Sequence, residues 1–298
     1  MRVGKPVLGP TRCTSQGDLT FTHYMGHGDT EQIILLPGTV NECFEFGWRA
    51  FDIAEHMQTP VFVLSDLELG MNQWMTEPFR YPDTPMDRGK VLWEEDLEKL
   101  KGDWGRYRDV DGDGIPYRTF PGNRHPASAY FTRGTGHNEE ARYSEDPVIW
   151  ARNMDRIKKK YHNAAKFIPE PVIEETKGAK IGMIAFGSTE PAIREACHLL
   201  ETPPERGVKT ASSPKGEAGL KCDSMRIRGI PFTDSVKKFI ESHEHNYVVE
   251  MNRDGQLYQL LLVEFPQLAD KLSSVAFNDG LPATAKWVKE SILATEVK

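Results

Sequence analysis

Cysteine is scarce in this sequence: four in 298 residues, at Cys13, Cys43, Cys197 and Cys222. No two form a C-x-x-C pair, so the chain carries no local zinc or iron–sulfur ligand set. Few, scattered thiols fit a reduced cytoplasm. Long apolar runs are also missing. The longest mainly apolar stretch, 257–265, is far shorter than the ~18 residues a membrane span needs. The first residues hold no apolar signal-peptide core. There is no long basic run, and the net charge is −7, so no electrostatic footprint for nucleic acid exists. Absence of G-x-S-x-G, of a P-loop and of a full G-x-G-x-x-G disfavours serine hydrolase, P-loop and simple Rossmann dehydrogenase readings.

Aromatics are plentiful, with 14 Phe, 9 Tyr and 6 Trp, so the chain can fill real cores and is not disordered. At ~150 residues per domain, the length suggests about two domains. Residues 1–18 are rich in Gly, Pro, Thr and Ser and read as a loop. The apolar run 32–36 reads as a buried strand and Pro37-Gly38 as a turn. Thr39-Val-Asn-Glu42 is a capping box. The following helix is expected to bury Val40, Cys43, Phe44, Gly47, Phe51 and Ala54. A second buried strand spans 61–64. Strand, helix, strand at this spacing predicts a parallel βαβ crossover, with 37–39 and 65–68 on the ligand-facing rim. Over 70–146 the periodicity fades into an ordered excursion, interrupted by a short acidic helix near 94–100. Pro147 opens a helix placing Trp150, Met154, Ile157 and Tyr161 on one face, with a basic last turn. Residues 170–180 read as a linker. Alternating strands (180–186, 224–230, 246–250) and helices (from 191, 234–242, 255–265, 284–293) give a second α/β unit.

Several residues have functional and bland readings side by side. Asp109, Asp111 and Asp113, with Gly at the sixth position, match the first half of a calcium loop; the twelfth position is Phe120 rather than Glu. The alternative is a solvated acidic turn. Gly134-Thr-Gly-His137 beside Arg133 is either an anion-holding turn or a tight surface turn. His243 and His245 read as a solvated helix cap. Asp18, Asp66 and Glu68 are isolated carboxylates available for acid–base work. This much reaches a two-domain α/β protein with a covering loop, but no reaction.

Several stretches, in order, resemble the α subunit of 2-oxoacid:ferredoxin oxidoreductases, most closely the 2-oxoglutarate type. They are Thr14-Ser-Gln-Gly-Asp18, 58–66 with Leu69-Gly-Met-Asn72, and Thr135-Gly-His137 with Glu139-Glu140. Gly187-Ser-Thr189 and Glu250-Met-Asn252 with Gly255-Gln-Leu257 complete the series. The resemblance implies a partial thiamine pyrimidine-binding domain, a parallel sheet with flanking helices, over 1–170 including the excursion 70–146. A transketolase C-terminal-like α/β domain over 178–298 follows it. It implies oxidative decarboxylation of 2-oxoglutarate to succinyl-CoA, with electrons passed to ferredoxin. The implied partners are a β subunit, ferredoxin, coenzyme A and the 2-oxoacid in a cytoplasmic hetero-oligomer. Thiamine diphosphate and Mg²⁺ are expected mainly on the β subunit, with its [4Fe–4S] cluster. No catalytic residue is expected in this chain. Arg2 and Thr11 align with a family loop that holds the substrate carboxylate, although the Pro-Ser-Thr-Gly centre of that loop is lost. Gln16, Asp18, Asp66 and His137 are candidates at the site rim. The family's segment preceding this loop, with its pyrimidine-protonating glutamate, is not matched, so the chain is expected to be a C-terminal portion, inactive alone. Two alternatives remain: a truncated non-catalytic assembly or dimerisation module, and the β chain of a 2-oxoacid dehydrogenase complex.

Overall fold

The computed structural model describes residues 14–201 and 219–296. A short helix, α1 (Leu19–His23), precedes a βαβ unit: β1 (Ile33–Leu35), α2 (Val40–Met57) and β2 (Val61–Val63). β1 and β2 pair in parallel, Ile33 against Val61 through Leu35 against Val63, as the sequence predicts. Thr39 Oγ1 accepts from Glu42 N at 3.2 Å and closes the first turn of α2. The buried stripe of α2 differs from expectation. It runs through Glu42, Phe46, Ile53 and Met57, while Phe51 is 63% exposed. Phase is set by where the core lies, and two phenylalanines on the wrong side misled the pattern.

α3 (Leu67–Met71), capped by Asp66, leads into the excursion, whose only α-helix among the described residues is α4 (Glu94–Lys99). Ile115, from the acidic loop, is 2% exposed and inserts into the core of α2 and β1 with Phe46, Ile53 and Met57. The excursion is thus pinned by burial of one of its own side chains. α5 (Pro147–Ala164) starts on Asp146, whose carboxylate accepts from Val148 N at 2.7 Å. Trp150, expected inside, is half exposed.

The second sheet has five strands. They are β3 (Val172–Glu174), β4 (Ile181–Phe186), β5 (Cys222–Ile227), β7 (His245–Glu250) and β8 (Leu272–Ala276), in the order β3-β5-β4-β7-β8. All neighbours are parallel except the edge strand β3, which lies in the stretch expected to be a linker. Its helices are α6 (Glu190–Glu201), α7 (Asp234–Ser242), α8 (Gln256–Glu264) and α9 (Ala285–Glu296). α6 and α9 cover one face over Met183, Ala185, Tyr247 and Val249. The other face shares a core with the first sheet: Ile184, Phe186 and Met225 meet Leu19, Ile34 and Leu36, with α7 and α8 alongside. The expected strand 224–230 breaks after Ile227, and β6 (Gly229–Ile230) crosses to pair antiparallel with β1. Gly229 permits this, because a Cβ there would lie 2.7 Å from Ile34 O. No helix among the described residues is long and apolar enough to cross a membrane.

Candidate functional site

Ligands in open parallel sheets lie beyond the carboxyl ends of strands. Here the ends of β2, β4 and β7 converge, and Gln16 sits among them, 1% exposed. Its Nε2 donates to Asp66 Oδ2 at 3.2 Å and to Phe186 O at 2.9 Å. Its Oε1 accepts from Met251 N at 3.0 Å and Thr189 Oγ1 at 3.3 Å. Its backbone N donates to Met251 O at 2.7 Å. Asp66 is spent in the same way: Oδ1 accepts from Leu69 N at 3.0 Å, and Oδ2 from Ser188 N at 2.9 Å. Gly187 is required here. Its φ is +60°, and a Cβ would stand 2.7 Å from Asp66 Oδ2 and 2.9 Å from Gln16 Nε2. Below this node, Glu250 receives Leu257 N at 2.8 Å and Tyr258 N at 3.1 Å, fixing the start of α8; burial pushes its carboxyl up.

A second polar group joins the turn after β1 to β5. The Arg226 guanidinium donates to both oxygens of Glu42, at 2.7 and 2.9 Å, and its Nε donates to Glu190. Arg228 adds an ion pair to Glu42 at 2.8 Å, and Gly38 N donates to Glu42 at 2.8 Å. Burial works to raise the Glu42 carboxyl, but the Arg226 hydrogen bonds and charge outweigh it and hold the group below its ordinary value. Two arginines meet two glutamates, so the buried charge is matched.

The sequence candidates separate accordingly. Gln16 and Asp66 are brought together, though as a saturated, buried junction rather than an open rim. Asp18 caps α1, its carbonyl accepting from Thr22 N at 3.0 Å. His137 lies elsewhere, its ring stacked 3.8 Å from Tyr107 and its carbonyl receiving Asn153 Nδ2 at 2.6 Å. Arg2 and Thr11 lie outside the described residues. Glu68 is partly exposed, its carboxyl raised by burial and by Asp66.

Of the two readings of 109–113, the geometry shows an acidic turn closed by an internal cation. Lys90 Nζ stands 2.6 Å from Asp111 and 2.8 Å from Asp113, so an ammonium sits where a cation would be held. Among the described residues, no three His, Cys, Asp or Glu side chains stand together to hold a metal ion. His243 is likewise no solvated cap. It is 3% exposed, with Nε2 3.0 Å from Asp223 and Nδ1 2.7 Å from Phe239 O. Gly134 adopts φ +78° and closes against the Tyr143 ring, a tight turn with Arg133 over that ring. Sequence reading missed the Arg226–Glu42 pair, whose members stand 184 residues apart. Only the capping role of Glu42 hinted at it.

Residues 2–90 match the family described as Pyruvate flavodoxin/ferredoxin oxidoreductase, thiamine diP-bdg. The chain is 31% identical over 289 residues to "2-oxoacid:ferredoxin oxidoreductase 2, subunit alpha" of Aeropyrum pernix, covering 95% of this chain and 41% of that one. It is 36% identical over 301 residues to "2-oxoacid:ferredoxin oxidoreductase 1, subunit alpha" of Sulfurisphaera tokodaii, covering 97% and 43%. With the "2-oxoglutarate synthase subunit KorA" of Methanothermobacter thermautotrophicus it shares 28% identity, over 86% of this chain and 62% of that one. The chain thus spans about two fifths of the length of the first two relatives. Its fold matches a structure described as "2-oxoglutarate:ferredoxin oxidoreductase from Magnetococcus marinus with 2-oxoglutarate, coenzyme A and succinyl-CoA bound". The TM-score is 0.77 at 24% identity, over 99% of this chain and 47% of that one. The chain is a relative of 2-oxoacid:ferredoxin oxidoreductase α subunits, and its architecture is the mixed α/β, parallel-sheet arrangement expected for them.

Proposed function

We propose that this relative of 2-oxoacid:ferredoxin oxidoreductase α subunits is an α-subunit segment of such an enzyme, acting in the cytoplasm with a β subunit. The proposed reaction converts 2-oxoglutarate and coenzyme A to succinyl-CoA and carbon dioxide, passing two electrons to ferredoxin. One observation carries the reading: likeness to α subunits runs along 95% and 97% of the chain in two relatives. Similarity to a 2-oxoglutarate synthase subunit supports that substrate.

Thiamine diphosphate, when bound, supplies the electron sink that decarboxylation of a 2-oxoacid needs. The described residues do not form a site for the whole cofactor. Gln16 and Asp66 are spent on each other and on the backbone at the strand ends. No three potential metal-ligating side chains stand together among the described residues. Following the family resemblance, we assign the diphosphate, its Mg²⁺ and the [4Fe–4S] cluster to the β subunit. The domain reading is kept as 1–170, with the excursion, and 178–298. Gln16 and Asp66 act as positioning residues that fix the strand ends. Arg2 and Thr11 are proposed to hold the substrate carboxylate, the arginine as a permanent bidentate cation.

The test is a substrate panel on the complex of this chain, the remaining α-subunit segment and the β subunit. Reduction of a viologen dye should show the highest kcat/KM with 2-oxoglutarate. Pyruvate as the better substrate would overturn the substrate assignment. A stable complex with no turnover would favour the assembly-module reading.

A further inference from the structure

Beside the excursion lies a cavity of about 890 Å³, walled by β1, the end of α2 and the inward face of α5. Its size suits a small organic ligand. Four cations line it, Arg106 from the excursion and Arg156, Lys158 and Lys160 from α5, and of these Arg106, Arg156 and Lys160 stand close enough to influence one another. Their partners do not neutralise them. Arg156 Nη1 donates to Gly114 O at 3.1 Å, and Lys160 Nζ to Gln58 O at 3.4 Å, both neutral carbonyls. Arg106 Nε donates to the Tyr130 hydroxyl at 3.3 Å. Arg106 Nη1 and Arg156 Nε are shielded from solvent and have no hydrogen-bond partner among the described residues. Both guanidinium groups lie near the Tyr107 ring, at 5.0 and 5.7 Å from its centre, so they are neighbours of one another.

Such crowding of like charge is costly without an anion. Burial, followed by the charges of Arg156 and Arg106, brings the Lys160 ammonium down to about 8. Burial, then Arg106, lowers Arg156, with Asp109 the opposing carboxylate. The carboxylates Asp29, Glu31 and Asp155 also line the cavity, with Lys158 and Tyr161 of α5 beside Glu31. Burial and the neighbouring Glu264 raise the Glu31 carboxyl, while Lys158 opposes them.

We propose that the Arg106–Arg156–Lys160 end of this cavity binds the phosphate group of a small molecule. Three cationic donors from two segments suit the several oxygens and the charge of a phosphate, and the two orphaned guanidinium nitrogens would gain acceptors. The cavity has room for the rest of a nucleotide-sized molecule, with hydrogen-bond donors directed at Asp29 and Glu31. This site is independent of the oxidoreductase reading, because none of its residues belongs to the strand-end junction.

The test is isothermal titration of the full chain with inorganic phosphate, pyrophosphate, AMP and, as a carboxylate control, succinate. Pyrophosphate or AMP should bind one to one and more tightly than succinate. Tighter AMP points to a nucleotide, and tighter pyrophosphate to a compact phosphate ester. Arg156→Gln and Lys160→Gln should each weaken binding about tenfold, the loss expected for a charge-assisted hydrogen bond. Arg106→Gln, on the half-exposed excursion, gives the same readout without touching a helix. Lys286→Gln, on the exposed face of α9, should change nothing. No saturable binding of any phosphate probe, equal affinity for succinate, or affinities unchanged in the three variants would overturn the proposal.

Discussion

Arg226 shows how much one side chain organises. Its guanidinium is 3% exposed and binds Glu42 through two nitrogens and Glu190 through the third. Removing it leaves buried Glu190 without its cation and Glu42 with Arg228 alone. Arg226→Met should therefore cost about 3–5 kcal/mol, read as a lower urea midpoint. An unchanged midpoint would mean that the pair is not buried in solution. The same pair sets a pH dependence. Glu42 is held below its ordinary value of 4.5, so it binds its proton less readily folded than unfolded. Its contribution is full above that ordinary value and is lost as pH falls through the lower, folded one. Urea midpoints measured from neutral pH into this acid range should fall more steeply for the natural chain than for Glu42→Gln. This network was invisible in the sequence for a physical reason. A capping glutamate reads as solvent-facing, and nothing local says that an arginine from a distant strand will draw it inward.

At the scale of elements, the βαβ unit was legible because apolar strands and a capping box are local signals. The phase of α2 was not, since Glu42 turns inward to Arg226 and takes Phe46 with it, leaving Phe51 outside. The segment holding β3 reads as linker because Pro171 and Gly178 bracket a short, half-exposed edge strand whose partner is remote in sequence. The acidic loop at 109–114 admits a cation-binding reading because alternating carboxylates are a local signal; Lys90, which pairs with Asp111 and Asp113, comes from another turn of the excursion. Its structural weight lies in the next residue. Ile115→Ala should cost about 2–5 kcal/mol by opening a cavity beneath α2, without altering its secondary structure. Gly114→Ala tests the same anchor from the backbone. The φ there is +82°, and a Cβ would stand 2.5 Å from Lys160 N and 2.6 Å from Arg156 O. The loop must lift off α5, at a cost of about 1–2 kcal/mol from the left-handed backbone alone. Limited proteolysis should then cut within 105–118 faster than in the natural chain. Equal cleavage rates would show that the loop is held by other contacts.

At the scale of the whole molecule, two sheets share one core. β6 leaves the second unit to pair with β1, and Gln16 ties the ends of strands from both. The two units therefore hold each other's strand ends in place, as a scaffold must if it is to present one face to a partner subunit. We propose that this scaffold works within a 2-oxoacid:ferredoxin oxidoreductase. The most direct measurement is anaerobic viologen reduction by the chain assembled with the remaining α-subunit segment and the β subunit, with 2-oxoglutarate as the electron source. The account predicts reduction that requires both thiamine diphosphate and coenzyme A and that yields succinyl-CoA. A correctly assembled complex that reduces no dye with any 2-oxoacid would contradict it.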